Sequence, residues 1–300
     1  MTIMKKNNLH PRSIHQGRYD LAELVGDLPE LAVHVFKNKH NIVTVDFSDP
    51  QAVFYLNKAL LVHHYQLKFW EIPKGYLCPP VPGRADYLHY IADLLAPENG
   101  DKVPLGAKVK GLDVGTGASA IYPMLGHRLF QWSFLATETD EIALNAARKN
   151  IAENQEVLKN VEIVQQMNPS KMFEGIINYG DKIDFTMSNP PFHSSPDEAV
   201  QATQRKIRNL GNRKAGTATR NFGGRAHELW TDGGELKFIQ SMILESRSYA
   251  DNCKWFTTLV SKKANLPIFE KVLAQVSVKK QRVIEMGQGQ KQSRILCWGW

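Results

Sequence analysis

Val109-Lys-Gly-Leu-Asp-Val-Gly-Thr-Gly-Ala-Ser-Ala120 is the stretch that decides the fold. Its opening is a short apolar run of the length of a buried strand, and Gly115 and Gly117 permit a tight turn. Apolar spacing then predicts a helix over Ala118 to Leu129. A strand, a glycine turn and a helix in that order aim unpaired helix N–H groups at a ligand. The alternation continues downstream. Trp132-Ser-Phe-Leu-Ala-Thr, Val161 to Val164 and Ile183-Asp-Phe-Thr-Met-Ser read as strands, with an amphipathic helix over Asp140 to Asn154. A helix over Glu235 to Ala250, a strand over Trp255 to Ser261 and a helix over Leu266 to Gln275 follow. The chain closes in a hairpin, Val278 to Met286 and Arg294 to Trp300. The expected fold class is α/β: a Rossmann-like, doubly wound, mostly parallel sheet covered on both faces, with an antiparallel last strand.

Upstream the pattern differs. Residues 20–70 mix helical periodicity, clearest from Pro50 to Leu61, with short connections. A proline-rich crossing, Ile72-Pro-Lys-Gly-Tyr-Leu-Cys-Pro-Pro-Val-Pro-Gly83, leads to a helix from Arg84 to Leu95 and a polar break at Pro97-Glu-Asn-Gly-Asp-Lys. The expected division is a smaller N-terminal α/β extension, 1–96, and a main domain, 97–300. Residues 1–20 carry Lys5, Lys6, Arg12 and Arg18 against Asp20 alone and read as a mobile basic arm.

Composition bounds the function. The 300 residues carry a net charge of +7, which favours a polyanionic partner. No apolar run approaches the roughly 20 residues that span a bilayer, and the N-terminus lacks the apolar stretch of a secretory signal. Cys78, Cys253 and Cys297 are scattered, so neither a disulfide framework nor a metal site is expected; nor do the histidines form a ligand pattern. The expected setting is a reducing cytoplasm, without membrane or metal.

The turn alone leaves the cofactor open. Gly115-Thr-Gly-Ala-Ser-Ala fits a dinucleotide fingerprint as well as a methyltransferase loop headed by Asp113, with Asp113, Gly115 and Gly117 the expected cofactor contacts of the loop. Glu138, ending the next strand, could hold a ribose hydroxyl pair in either class. The reaction site discriminates. Asn189-Pro-Pro-Phe192 stands at the C-terminal end of the fourth strand, where such sheets bind ligands. An adenine amine is a poor nucleophile because its lone pair is delocalised into the ring. The Asn189 oxygen and a carbonyl of the Pro190 turn can accept its two hydrogens, fixing the nitrogen and drawing its lone pair out of conjugation. Proline adds no competing N–H, and Phe192 can stack on the base. Hydride transfer finds no equivalent support here. A basic insert follows within residues 193–230, carrying Arg205, Lys206, Arg208, Arg213, Lys214, Arg220 and Arg225. No acid falls between Ala199 and His227. Directly after the base-binding turn, it is placed to hold RNA phosphates, with Lys5, Lys6 and Arg12 of the arm as further candidates.

Gly111-Leu-Asp-Val-Gly-Thr-Gly-Ala-Ser-Ala-Ile-Tyr-Pro, Phe134-Leu-Ala-Thr-Glu, Asn189-Pro-Pro-Phe and Asn221-Phe-Gly-Gly together resemble the bacterial 23S ribosomal RNA adenine-N6 methyltransferase F family. The resemblance extends over nearly the whole chain, including Ile72-Pro-Lys-Gly and Val81-Pro-Gly-Arg. It implies a class I methyltransferase core using S-adenosyl-L-methionine, an N-terminal RNA-binding extension, and 23S ribosomal RNA or a large-subunit assembly intermediate as partner. It further implies that Arg84 and Ser119 hold the cofactor's amino-acid end, Gly115 lines the loop, Glu138 takes the ribose, Ser170 lies near the adenine and Asn189 sits at the transfer centre. A DNA or protein-glutamine methyltransferase could use the same Asn-Pro-Pro turn, and the basic insert argues against the protein substrate. A non-catalytic RNA-binding protein with a relict loop is the reading from another class; the intact Asp113, Gly115, Gly117, Glu138 and Asn189 argue against it.

Overall fold

The computed structural model describes residues 9–191, 231–288 and 291–300. Seven strands form the main sheet: β3 (Lys110–Val114), β4 (Ser133–Glu138), β5 (Val161–Gln165), β6 (Ile183–Ser188), β7 (Cys253–Val260), β8 (Lys280–Gln288) and β9 (Lys291–Gly299). Their order is β5-β4-β3-β6-β7-β9-β8. Strands β3 to β7 are parallel, and β9 runs antiparallel to both β7 and β8. The expected antiparallel strand is therefore present, one place in from the edge. The hairpin turns back so that apolar β9 is covered and β8, with Lys280, Arg282 and Glu285, takes the exposed edge, where charge discourages further pairing.

The pleat sorts the core into two layers. Trp255 and Leu259 of β7, and Ile295 and Cys297 of β9, face the helices α3 (Val81–Leu95), α4 (Ile121–Phe130) and α5 (Glu141–Ala152). Phe256, Val260, Leu296 and Trp298 face the opposite way, onto α6 (Gly234–Ser246) and α7 (Leu266–Gln275). The N-terminal elements are α1 (Leu21–Asp27), a two-stranded sheet of β1 (Val35–Lys37) and β2 (Val43–Val45), and α2 (Pro50–Tyr65). They join the first layer, so residues on both sides of position 96 share one apolar cluster. Two amides stitch residues 68–71 to the end of α5 and the turn after it. Asn154 pairs with the backbone of Lys68 and Phe69, and Asn150 with both polar groups of Glu71.

Two local expectations need correction. The segment from residue 9 is not a free arm. His10 donates its N–H to Asp86 and pairs with Asp93, and the buried His15 bonds Tyr65. Arg12 donates to the carbonyl of His89 and ion-pairs with Asp93 at 2.7 Å, so its guanidinium is tied to α3. Lys5 and Lys6 lie outside the described residues. The helix expected from Ala118 begins at Ile121, because Ala120 adopts φ 48°, a left-handed turn residue that ends the loop before the helix starts.

Candidate active site

The C-terminal ends of β3, β4 and β6 open on one cleft, at the point where the strand order reverses. Gly115 and Gly117 line it with φ of +73° and +67°, which glycine adopts without strain. A methyl group added at Gly115 would meet nothing within 4 Å, so the turn faces open space. Two bonds fix its shape: Thr116 N–H to the Thr137 carbonyl at 2.8 Å, and Gly117 N–H to Glu138 Oε2 at 2.9 Å. Glu138 Oε1 accepts the amides of Thr139 and Asp140, so this carboxylate braces the loop as well as facing the cleft. From behind, Asn150 donates to the Ala118 carbonyl and the Trp70 indole to that of Ser119.

Arg84 and Ser119 also line the cleft. The Arg84 Nη1 donates to the Tyr122 hydroxyl, while its buried Nε has no partner. Asn189 joins the wall, and its Oδ1 is likewise buried without a partner. A buried acceptor left unpaired costs about 1–3 kcal/mol, a cost that an incoming donor removes. Ser188 anchors the turn by donating to the Val114 carbonyl, tying the end of β6 to the glycine turn. Pro190 is buried beside Asn189, and Phe192 lies outside the described residues. A second cavity shares Arg84 and Asn189 as walls and continues along Pro80, Gly83, Leu259 and Ser261.

Two expected contacts are placed differently. Asp113 is fully buried beneath the turn and does not line the cleft. Neither of its oxygens has a hydrogen-bond partner, and burial pushes its carboxyl up to about 7. Ser170 is exposed, with its hydroxyl turned to Asn168; its neighbours Pro169, Lys171 and Met172 supply that wall. Their loop carried no motif, and what fixes it is remote in sequence. Glu245 of α6 accepts the N–H groups of Met172, Phe173 and Glu174 at 2.8–2.9 Å. Gln166 is a further lining residue that the sequence reading missed, and Asp140 lines the cleft too. Asp140 stands two residues past the acidic strand end, where it caps α5 through Ala143 N–H and accepts from Tyr76. The basic insert residues Arg205, Lys206, Arg208, Arg213, Lys214, Arg220 and Arg225 lie outside the described residues. Among the described residues, no helix is long and apolar enough to cross a membrane and no acidic or His/Cys cluster could hold a metal.

The geometry fits S-adenosylmethionine. A cation stands at one end, an acidic group at the strand end can meet ribose hydroxyls, and an open glycine turn admits close approach. Comparison with known proteins agrees. A family model described as RNA methyltransferase matches residues 3–300. The ribosomal RNA large subunit methyltransferase F of Flavobacterium johnsoniae is 50% identical over 99% of this chain and 94% of that protein. Its Pseudomonas putida counterpart, from strain GB-1, is 46% identical over 99% and 95%. Among solved structures, the human METTL16 catalytic domain bound to a MAT2A 3′UTR hairpin superposes with a TM-score of 0.80 at 30% identity, covering 97% of this chain and 95% of that one. The N-terminal domain of human METTL16 in complex with SAH gives 0.76 at 29%, covering 97% and 98%. The chain belongs to the RNA methyltransferase family that includes the large-subunit ribosomal RNA methyltransferase F proteins.

Proposed function

We propose that this protein transfers the methyl group of S-adenosylmethionine to the N6 amine of one unpaired adenine in large-subunit (23S) ribosomal RNA, naked or in an assembly intermediate, in the cytoplasm. The observation that carries this reading is the unpartnered Asn189 Oδ1 on the wall shared by the cofactor cleft and the second cavity. A base entering the second cavity presents its amine to Asn189 with the cleft behind it. Extrusion from its stack is required for the nitrogen to reach this depth.

The bound cofactor supplies an electrophilic methyl group on a sulfonium. The chain's residues do the rest. Arg84 meets the carboxylate of the amino-acid end, the turn at Gly115 to Gly117 admits the backbone of the ligand, and Glu138 accepts from the ribose hydroxyls. Asp113 supports the turn from below. At the adenine end Pro169, Met172 and Gln166 provide the wall, with Ser170 acting through its turn. Asn189 Oδ1 and the Pro190 carbonyl accept the two amine hydrogens, which turns the nitrogen lone pair toward the methyl group. Phe192 stacks on the base. The N-terminal extension, 1–96, and the insert within 193–230 hold the surrounding phosphates.

Asn189→Ala tests the assignment. It removes an acceptor used at the transition state and leaves most cofactor contacts, so kcat should fall by about 100- to 1,000-fold with little change in S-adenosylmethionine affinity. Single-turnover methylation of ribosomal RNA reads the first quantity and calorimetric titration the second. Near-normal turnover would remove Asn189 from the reaction.

A further inference from the structure

The second cavity holds an ionisable group that the reaction above leaves idle. Asp86, one turn past Gly83 on α3, lines it together with Arg84 and Asn189. The side chain is fully buried. Its Oδ1 accepts the His10 N–H at 2.8 Å, whereas Oδ2 has no hydrogen-bond partner among the described residues. The walls around it do not supply one. Leu259, Val260 and Met286 are apolar, and the Ser261 hydroxyl is turned to Glu235. An unpaired carboxyl oxygen in a cavity accepts from a ligand when ionised and can donate to one when protonated.

The surroundings favour the protonated form. Burial pushes the Asp86 carboxyl up to about 6, against the opposing pull of His10. The charges that face it are engaged elsewhere. On α3, Arg84 donates to Tyr122, burial takes His89 down to about 4 and so keeps it neutral, and burial raises the Tyr90 phenol. From the N-terminal segment, the His10 ring and Arg12 both bind Asp93. Across the cavity Arg294 pairs with Glu285, and Glu235 accepts from Ser261 and from the Lys262 N–H.

The substrate's chemistry agrees. Asn189 and the Pro190 carbonyl take both amine hydrogens of the adenine, and the other polar atoms of the ring are nitrogen acceptors. A carboxylate facing those nitrogens repels them, whereas a carboxylic acid hydrogen-bonds one. An apolar site can keep a carboxylic acid neutral for this task.

We infer that Asp86 reads the ring of the target adenine: its neutral carboxyl donates from Oδ2 to a ring nitrogen beside the amine held by Asn189. The inference rests on the adenine reading above. Two points of contact fix the rotation of the base, so Asp86 aims the amine at the methyl group as well as holding the ring.

Asp86→Ala and Asp86→Asn test it on a large-subunit ribosomal RNA fragment that the wild type methylates. At about pH 6 the alanine variant should lose about 10- to 100-fold in kcat/KM, the scale of one buried acceptor left unpaired. Asparagine carries an N–H₂ in place of the acid O–H, so Asp86→Asn should recover most of that loss. From about pH 6 to about pH 8 the wild type should fall relative to Asp86→Asn by up to the same factor, because only the neutral acid donates. Asp113 titrates in the same range but is present in both proteins, so the ratio isolates Asp86. RNA with 1-deazaadenosine or 7-deazaadenosine at the target then names the nitrogen. One of the two should cost the wild type that factor and cost Asp86→Ala much less. Titration with S-adenosylmethionine should match the wild type in both variants, which also shows that they are folded. The inference is overturned if Asp86→Ala methylates like the wild type at about pH 6, or if Asp86→Asn shares the wild-type pH profile. It is overturned equally if each analogue costs the wild type and Asp86→Ala the same factor. A wild type that methylates no adenine in large-subunit ribosomal RNA or its assembly particles would sink the underlying reading and this contact with it.

Discussion

Asp113 lies beneath the glycine turn with both carboxylate oxygens unpaired, and burial is the largest cause of its raised ionisation point, about 7. The negative charge of Glu138 raises it further, while the Arg84 charge opposes the shift. The sign of the consequence is fixed. Between about pH 4 and 7 the folded protein holds this proton and the unfolded chain does not, so this group's contribution to stability is lost as pH rises through that window. Asp113→Asn removes the dependence. Denaturant unfolding should show the variant gaining on the wild type as pH rises from 4 to 7, by up to roughly 4 kcal/mol. Parallel pH profiles for the two proteins would mean that Asp113 is ionised in the fold. This position also shows where residue-level reading stopped. Asn189 lines the cleft, a position legible from its place directly after a strand. Asp113 was read as a ligand contact, because a motif gives residue type and spacing and cannot say that the side chain turns under the loop. Ser170 stands outside the cleft lining for a related reason: residues 165–182 have no periodicity or motif to fix which side chains point inward.

At the scale of elements, the strands and helices of the main sheet were legible from apolar periodicity alone. The helix Leu266–Gln275 and the strand Ile183–Ser188 match residue for residue, and other boundaries differ by a few residues where ends fray or a left-handed residue intervenes. What periodicity could not show is how elements brace each other across long separations. The clearest case is Glu245, which reaches from α6 to three consecutive amides some seventy residues earlier. Glutamine in its place has a single acceptor oxygen and brings an N–H₂ group against a backbone donor. Glu245→Gln should therefore loosen the loop of Lys171 and Met172 and weaken S-adenosylmethionine binding by about tenfold, the low end of the scale for one lost charged hydrogen bond. Turnover at saturating cofactor should stay near the wild-type value, because Asn189 is untouched. Calorimetry and saturation kinetics separate the two effects. Unchanged affinity would show that the loop holds its shape without Glu245.

For the whole molecule, the alternation of strands and helices established the sheet, and the closing hairpin its antiparallel member. The N-terminal part was the harder portion. Its charge suggested a free arm, yet His10, Arg12 and His15 are drawn onto α2 and α3 by contacts more than forty positions away in sequence. Short-range pattern carries no record of such contacts. The resulting arrangement puts the cofactor cleft and the second cavity side by side, with Asn189 where the two meet. The central claim is that this junction methylates one adenine of large-subunit ribosomal RNA. The most direct test is mass spectrometry of nucleosides from that RNA, isolated from cells lacking the protein and from cells complemented with wild type or Asn189→Ala. N6-methyladenosine at a single position should disappear without the protein, return with the wild type and stay absent with the variant. Unchanged N6-methyladenosine in all three RNAs would contradict the account.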